Sequence, residues 1–395
     1  MSSDATRDLE AWIPRLIAVW RARRAARSKG PRQPQRGRPP FQDEPTTRLS
    51  PNEVKEVAAG IKRLSHGLTR ERELAGAKYM DDPALLGAYL LFYWPVSYAQ
   101  SRSLLSELPA RPRSLLDLGS GPGPLAFAGL DAGASETVAA DRSKPALELA
   151  RALAIEASEA LATREWSPER ALPDGTFDVI TMGHLLNELY AGDLGKRAAL
   201  VEKVLEKVKP GGSLVVMEPA LRDTSRALLQ VRDALVAKGY AVRAPCLFRG
   251  ACPALVKPSD WCHAERQWRM PALTESLARA AGLHKESLKM SYLVLAPKGE
   301  AWAEPPSGRV FRIVSEALEG KGRQRYMGCG PEGRIGLALQ EKHRSEGNAK
   351  FFFLQRGEVI RVGGVAEEKG DGAGLTDQST VDVIARAGQP LPKPS

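Results

Sequence analysis

Between Leu115 and Gly123 the chain reads Leu-Leu-Asp-Leu-Gly-Ser-Gly-Pro-Gly, and few folds accommodate such a stretch. An apolar strand enters a turn with glycine at alternate positions, and an Ala- and Leu-rich helical segment leaves it. Glycines in that place let the backbone approach a ligand closely and present amide groups to it. Glycine spacing alone is weak evidence. Here Asp141 ends the next apolar strand, about twenty residues on, where a carboxylate accepts both hydroxyls of a ribose. The stretch therefore predicts a nucleotide-binding strand–turn–helix unit.

The sequence around this unit predicts an α/β fold. From Arg113 to Pro297 short apolar runs alternate with helical patterns, the signature of repeated βαβ units and a doubly wound sheet. The predicted strands are Leu115 to Leu118, Val138 to Asp141, Phe177 to Met182, Leu214 to Glu218 and Tyr292 to Ala296. Helices are expected over Ala146 to Ala157 and Ala198 to Val208. Two further features resemble class I S-adenosylmethionine-dependent methyltransferases, whose fold is Rossmann-like. One is the acidic residue that closes the first strand, Asp117. The other is Lys209-Pro210-Gly211-Gly212-Ser213 leading into Leu214 to Glu218. That resemblance implies S-adenosylmethionine as cofactor, held by Asp117, Gly119, Ser120, Gly121, Gly123 and Asp141. Asn187 and Glu188 follow Met182 to Leu186, where the methionine end of the cofactor and the acceptor would meet. Asp178 reads as a structural residue at a turn into its strand. The Asn-Pro-Pro-Tyr signature of amino-group methylation is absent, since Asn187-Glu188-Leu189-Tyr190 stands in its place, and no cysteine nucleophile in the RNA uracil or cytosine pattern occurs. No catalytic residue is assigned.

Composition divides the rest. Residues 1–48 read as a basic Pro/Arg-rich arm without order: ten Arg or Lys fall between Arg15 and Arg48 against only Asp43 and Glu44, among Pro31, Pro34, Pro39 and Pro40. A helical lead-in is expected over 49–110, with a start signal at Ser50-Pro51-Asn52-Glu53 and a break at Asp81-Asp82-Pro83. Leu85, Leu86, Tyr89, Leu90 and Tyr93 form its apolar stripe. The methyltransferase-like domain spans 111–300 with a cysteine insert at 244–263. Residues 301–365 predict a small β module with strands Val310 to Val314, Arg325 to Cys329, Ile335 to Leu339, Phe351 to Leu354 and Val359 to Val362. The tail 366–395 is Gly-, Asp- and Pro-rich and is expected to be disordered.

The formal charge of +10 favours a polyanionic partner, because neutralising phosphates releases condensed counterions. Arg266, Arg269, Lys321, Arg323 and Arg325 are the candidate phosphate contacts, with a solvated surface as the plain alternative. No run of eighteen apolar residues and no secretory leader is present, so a soluble, cytoplasmic, monomeric protein without membrane partners is expected. Mitochondria are the alternative compartment, since Trp12 to Arg27 has the arginine-rich character of a presequence while Asp4, Asp8 and Glu10 oppose it.

All four cysteines, Cys246, Cys252, Cys262 and Cys329, follow the nucleotide-binding half, and three lie within seventeen residues. Prolines beside two of them stiffen the segment. Buried unligated thiols, a structural zinc and an iron–sulfur cluster all remain open on spacing alone, although the short knuckle typical of zinc ribbons is missing. His263 reads as a surface or phosphate-facing residue, with ligand or second-shell donor as alternatives.

At these residues the chain resembles the methyltransferase-like assembly factors of the mitochondrial small ribosomal subunit and their bacterial relatives. The resemblance runs from Tyr79 and Tyr89 to Tyr98, through Leu116 to Gly123 and Glu218-Pro219. It continues over Ala244-Pro245-Cys246, Cys252-Pro253, Asp260-Trp261-Cys262-His263, Arg266, Arg269 and Ser291 to Leu295, and ends at Cys329. It implies a 4Fe-4S cluster on Cys246, Cys252, Cys262 and Cys329, with zinc as the alternative, and association with small-subunit ribosomal RNA or an assembly intermediate. The resemblance does not extend to the basic arm or the tail after Ala366, and it implies no role for them.

Overall fold

The computed structural model describes residues 3–28, 48–364, 366–369 and 372–392. In chain order, four helices come first: α1 (Ser3–Ser28), α2 (Pro51–Ser65), α3 (Pro83–Ala88) and α4 (Trp94–Leu105). Strands and helices then alternate as β1 (Ser114–Leu118), α5 (Pro124–Asp131), β2 (Glu136–Asp141), α6 (Lys144–Ala157), β3 (Leu161–Glu165), β4 (Phe177–Gly183), α7 (Leu194–Leu205), β5 (Val208–Pro219) and α8 (Arg222–Ala237). After these come β6 (Val242–Ala244), β7 (Ala264–Gln267), α9 (Ala272–Ala281) and β8 (Ser287–Leu295). The remainder is β9 (Arg309–Ile313), β10 (Leu318–Gly320), β11 (Arg323–Gly330), β12 (Gly333–Gln340), β13 (Val359–Gly363), β14 (Ala366–Lys369), β15 (Gly372–Leu375) and β16 (Thr380–Ala385). The chain divides into two compact units: Met1–Arg102 with Arg113–Asp174 and Trp268–Glu286, and Ser103–Pro112 with Gly175–Gln267 and Ser287–Ser395. These limits do not follow the composition boundaries at 110 and 300.

In the first unit β1 pairs in parallel with β2, and β2 with β3. Every residue of β1 is buried, as expected for a strand covered on both faces. The helices in front of it follow local rules. Ser50 and Glu53 form a reciprocal capping box at the start of α2, and Asp82 accepts the N–H groups of Ala84 and Leu85 to cap α3. A π-turn, Tyr89–Tyr93, carries α3 into α4.

Helix α1 corrects the expectation of an unordered arm over its length. Leu9, Trp12, Ile13, Leu16, Ile17 and Trp20 recur at helical spacing and are buried. Trp12 donates its indole N–H to Asp131 at 2.7 Å, and Arg102 pairs with Asp8 at 2.7 Å. Of its arginines, Arg7, Arg24 and Arg27 are exposed while Arg15, Arg21 and Arg23 are half-buried; their number hid the apolar stripe. The proline-rich part of the arm, with Pro31, Pro34, Pro39 and Pro40, lies outside the described residues.

In the second unit β4 and β5 are parallel, and β8 runs antiparallel to β5, β6 and β7. A second sheet has the order β14-β15-β12-β11-β9-β13-β16, with β10 on β11. Its core holds Phe311, Ile313, Tyr326, Leu337, Leu339, Phe351, Ile360 and Val381. Two expectations fail here. Phe351 to Leu354 is not a strand: residues Ala349–Phe353 form a 3-10 turn that buries Phe351 fully, with Leu354 in the same core and Phe352 packed against it. The tail is not disordered over its described residues, because β14 to β16 complete the sheet. Ala373, Leu375, Val381 and Ala385 fill its inward positions, and small residues at period two suffice at a sheet edge.

Arg21 holds the Glu53 carboxylate at 2.8 Å, and this hydrogen bond, with the Ser50 cap, lowers its pKa to about 2. A depressed acid stabilises the fold above its unfolded value and loses that contribution as pH falls through the folded one. With Arg21 partly solvated, Glu53→Gln is expected to cost about 1–2 kcal/mol at pH 7. Urea unfolding from pH 7 to pH 2 should show the gap between wild type and variant closing below about 4.5.

Candidate functional site

The glycine turn is built as the sequence implies. Gly119, Gly121 and Gly123 have φ of 71°, 52° and 80°, a region where side chains are strained, and Gly119 and Ser120 donate to the carbonyl of Ala140. Asp117 is buried and accepts the N–H of Ala126 in the first turn of α5, so it ties the turn to the helix. The Asp141 carboxylate accepts from Gly121 N at 2.8 Å and Ser143 N at 2.7 Å. Burial raises its pKa, and these two amides oppose the rise. Each oxygen thus has one amide partner and retains a second lone pair for a ribose hydroxyl. The sequence did not single out what overhangs this turn. Met80 lies 3.1 Å from where a side chain on Gly121 would begin, Arg142 holds the carbonyls of Gly76 and Ala77, and Ser143 bonds Asp81 at 3.0 Å.

Asn187 and Glu188 belong to the second unit, in the segment that leaves β4. His184 and Tyr190 adopt left-handed backbone there, with φ of 58° and 48°, which places strain at the carboxyl end of a parallel strand. Asn187 donates to the carbonyl of His184 at 2.7 Å, while Glu218 at the end of β5 accepts Leu186 N at 2.8 Å. Burial pushes the Glu218 carboxyl up to about 8, so it is predominantly protonated at neutral pH. Glu218 was visible in the sequence only as the end of a strand. Asp178 pairs with Lys209 at 3.0 Å, the structural role expected of it.

The four cysteines, separated by up to eighty-three positions, line one cavity of about 670 Å³ in the second unit. Cys246 follows β6, Cys252 opens the 3-10 turn Pro253–Leu255, and Cys262 precedes β7. Cys329 sits in β11 with Arg312 across one strand boundary and Arg334 across the other. Burial, and then the Cys246 sulfur, push the Cys252 thiol up to about 11 and Cys262 up to about 12; Cys329 rises further for the same reasons. Arg232 opposes the rise at Cys252 and Cys329, and Arg356 and Arg312 oppose it at Cys262. Among the described residues no three His, Cys, Asp or Glu side chains gather closely enough to hold a single metal ion. The cavity walls nevertheless carry unused donors: the Nε atoms of Arg266, Arg312 and Arg356 and Nδ1 of His263 are buried without a hydrogen-bond partner.

Two sequence assignments change here. Arg266 is not a phosphate contact. It is 3% exposed, bonded to Glu107 at 2.5 Å and to the Tyr292 hydroxyl at 3.2 Å, and Tyr292 in turn donates to Glu107 at 2.7 Å. His263 lines the cysteine cavity, and burial lowers its pKa to about 4, so at neutral pH it lacks the charge a phosphate would need. Arg269, Lys321, Arg323 and Arg325 are exposed.

Residues 85–356 match the family described as mitochondrial small ribosomal subunit Rsm22. The chain belongs to this family. The Rsm22 match includes the glycine turn and all four cysteines. Over 129 residues the chain is 34% identical to a ribosomal protein L11 methyltransferase of Pelobacter propionicus, covering 32% of this chain and 36% of that protein. Over 207 residues it is 28% identical to a cypemycin N-terminal methyltransferase of a Streptomyces species, covering 47% and 79%. It therefore spans about a third of the first relative and most of the second. A crystal structure of ribosomal protein L11 methylase from Lactobacillus delbrueckii subsp. bulgaricus superposes at a TM-score of 0.30 and 14% identity, covering 52% of this chain and 78% of that one. No described helix is long and apolar enough to cross a membrane.

The Glu107 carboxylate is buried between Arg266 and the Tyr292 hydroxyl, so neutralising it leaves the Arg266 charge without compensation. Glu107→Gln is expected to cost about 3–5 kcal/mol. Denaturant unfolding checks the value; a loss below about 1 kcal/mol would show that Arg266 finds another acceptor.

Proposed function

We propose that this Rsm22-family chain is an S-adenosylmethionine-binding protein that carries an iron–sulfur cluster and acts on or with small-subunit ribosomal RNA in ribosome assembly. The observation that carries the reading is that four cysteines remote in sequence share one cavity whose walls hold arginine donors without acceptors. A buried N–H without an acceptor is costly, and an anionic group in the cavity would remove the cost. A 4Fe-4S cluster bound by four thiolates is such a group: each iron takes its own cysteine, so the four ligands stand apart around it. A single tetrahedral zinc ion instead requires its thiolates to converge on one point. Cys246, Cys252, Cys262 and Cys329 would hold the cluster, and Arg312 and Arg356 would face its charge.

The glycine turn supports the second half of the reading. Asp141 would accept the ribose hydroxyls and the Gly119–Gly123 backbone would lie against the nucleoside, with Asp117 keeping the turn in register. When bound, the cofactor supplies an electrophilic methyl group. The methyltransferase relatives favour retention of that chemistry. The family description, which names the mitochondrial small subunit, favours the ribosome as partner and mitochondria over the cytoplasm.

Two measurements test the reading. Anaerobically purified protein should contain about four irons and four sulfides per chain, with visible absorption lost in Cys252→Ser; stoichiometric zinc without iron overturns the cluster. S-adenosylmethionine should bind in calorimetry, and Asp141→Ala should weaken it at least tenfold, the effect of removing one charged hydrogen-bond acceptor. Equal affinity in the two proteins would remove Asp141 from the site.

A further inference from the structure

Residues 76–81 cross over the nucleotide turn within the first unit. Their own backbone bonds are short-range: Ala77 donates to Leu74 at 3.0 Å and Asp81 to Lys78 at 3.0 Å, so turns shape the segment and no strand ladder ties it down. What anchors it comes from the residues after β2. One terminal nitrogen of Arg142 donates to two consecutive carbonyls, Gly76 at 2.9 Å and Ala77 at 2.8 Å, and the Ser143 hydroxyl donates to Asp81 at 3.0 Å. Arg142 and Ser143 directly follow Asp141, the carboxylate assigned to the ribose. Three adjacent residues therefore hold both the ligand and what lies over it.

The segment meets the turn through Met80. Its ε-methyl lies 3.1 Å, and its sulfur 3.6 Å, from where a side chain on Gly121 would begin, and the Gly121 N–H is bonded to Asp141 at 2.8 Å. A nucleoside held by Asp141 against this backbone meets Met80, whose thioether is flexible and polarisable and packs well on a purine or a carbon chain. The attachment is light. Arg142 is exposed and its acceptors are neutral carbonyls, so water competes for both bonds, and contacts of this kind open locally at low free energy. Gly76, with φ of 80°, gives the chain a left-handed bend at the start of the segment.

We propose that residues 76–81 form a hinged cover over the nucleoside site and that Arg142 is its latch, a positioning residue that sets how fast the ligand enters and leaves. The assignment rests on the S-adenosylmethionine reading above. The latch joins protein to protein, so it holds the cover down with and without ligand alike. Losing it speeds entry and exit by the same factor. A residue that touched the ligand itself would change mainly the rate of exit.

The test mixes full-length wild type and Arg142→Ala with S-adenosylhomocysteine and reads both rate constants from tryptophan fluorescence. Trp94 reports on the site, because its indole donates to the Pro122 carbonyl in the turn at 3.2 Å. Arg142→Ala should raise the association and dissociation rates each about fivefold to tenfold, the effect of losing exposed hydrogen bonds to one group, and leave Kd within about twofold of wild type. Faster dissociation alone, with a weakened Kd, makes Arg142 a ligand contact and overturns the latch, as do unchanged rates. A second measurement needs no variant: limited trypsin digestion, read by mass spectrometry at the bond after Lys78, which is exposed in the middle of the segment. Cleavage there requires the segment to open, so saturating S-adenosylhomocysteine should slow it about fivefold or more. Equal cleavage with and without ligand overturns the cover, even where Arg142→Ala does not fold. A wild-type protein that binds no S-adenosylhomocysteine in calorimetry defeats the nucleotide reading itself, and the cover with it.

Discussion

Electrostatic balance in the cysteine cavity is the constraint around which the second unit is arranged. Burial and the neighbouring sulfurs push the Cys252, Cys262 and Cys329 thiols far above their ordinary range. Arginines at 232, 312 and 356 oppose that shift, and each must itself be kept out of water. Secondary structure achieves this: α8 presents Arg232, β9 presents Arg312, and Arg356 donates to the carbonyl of Val314 at 2.6 Å. Removing the β sheet would expose the thiols, and removing the arginines would leave a cavity hostile to any anion.

The nucleotide turn obeys a different physics. Nothing there needs charge balance on the same scale. Three left-handed glycines, one carboxylate at the end of β2 and one at the end of β1 suffice, because backbone geometry brings amides to the surface and the carboxylates fix the turn. Such a site is local, and a stretch of about thirty residues specifies it. The cysteine cavity is not local: it requires β11 to be delivered beside the loop from β6 to β7, and Arg334 bonds Asp260 at 2.6 Å along that seam within the unit.

This difference explains which expectations held. The glycine turn, the strands around it, the capping box at Ser50 and the cap at Asp82 follow from neighbours in sequence, so they were legible. Helix α1 was missed because its arginines run on without a break into the basic, proline-rich segment that follows, although Leu9, Trp12, Leu16 and Trp20 kept helical spacing. Strands β14 to β16 were missed because alanine and valine at period two give little signal unless a sheet edge is waiting for them. Arg266 looked like a phosphate contact because sequence carries no information about the burial of a single arginine beside Glu107, 159 positions away.

The sequence by itself determined the chemistry on offer: a glycine-rich nucleotide turn with its carboxylates, four thiols, and a surplus of arginine. Tertiary structure decided how that chemistry is divided. It buried Arg266 against Glu107 and Tyr292, turned His263 into an uncharged wall of the cysteine cavity, and set Arg232 against the carbonyls of Phe248 and Gly250. Those outcomes depend on desolvation and on contacts between residues far apart in the chain, which no local pattern encodes, because the energy of a buried charge is fixed by everything that surrounds it.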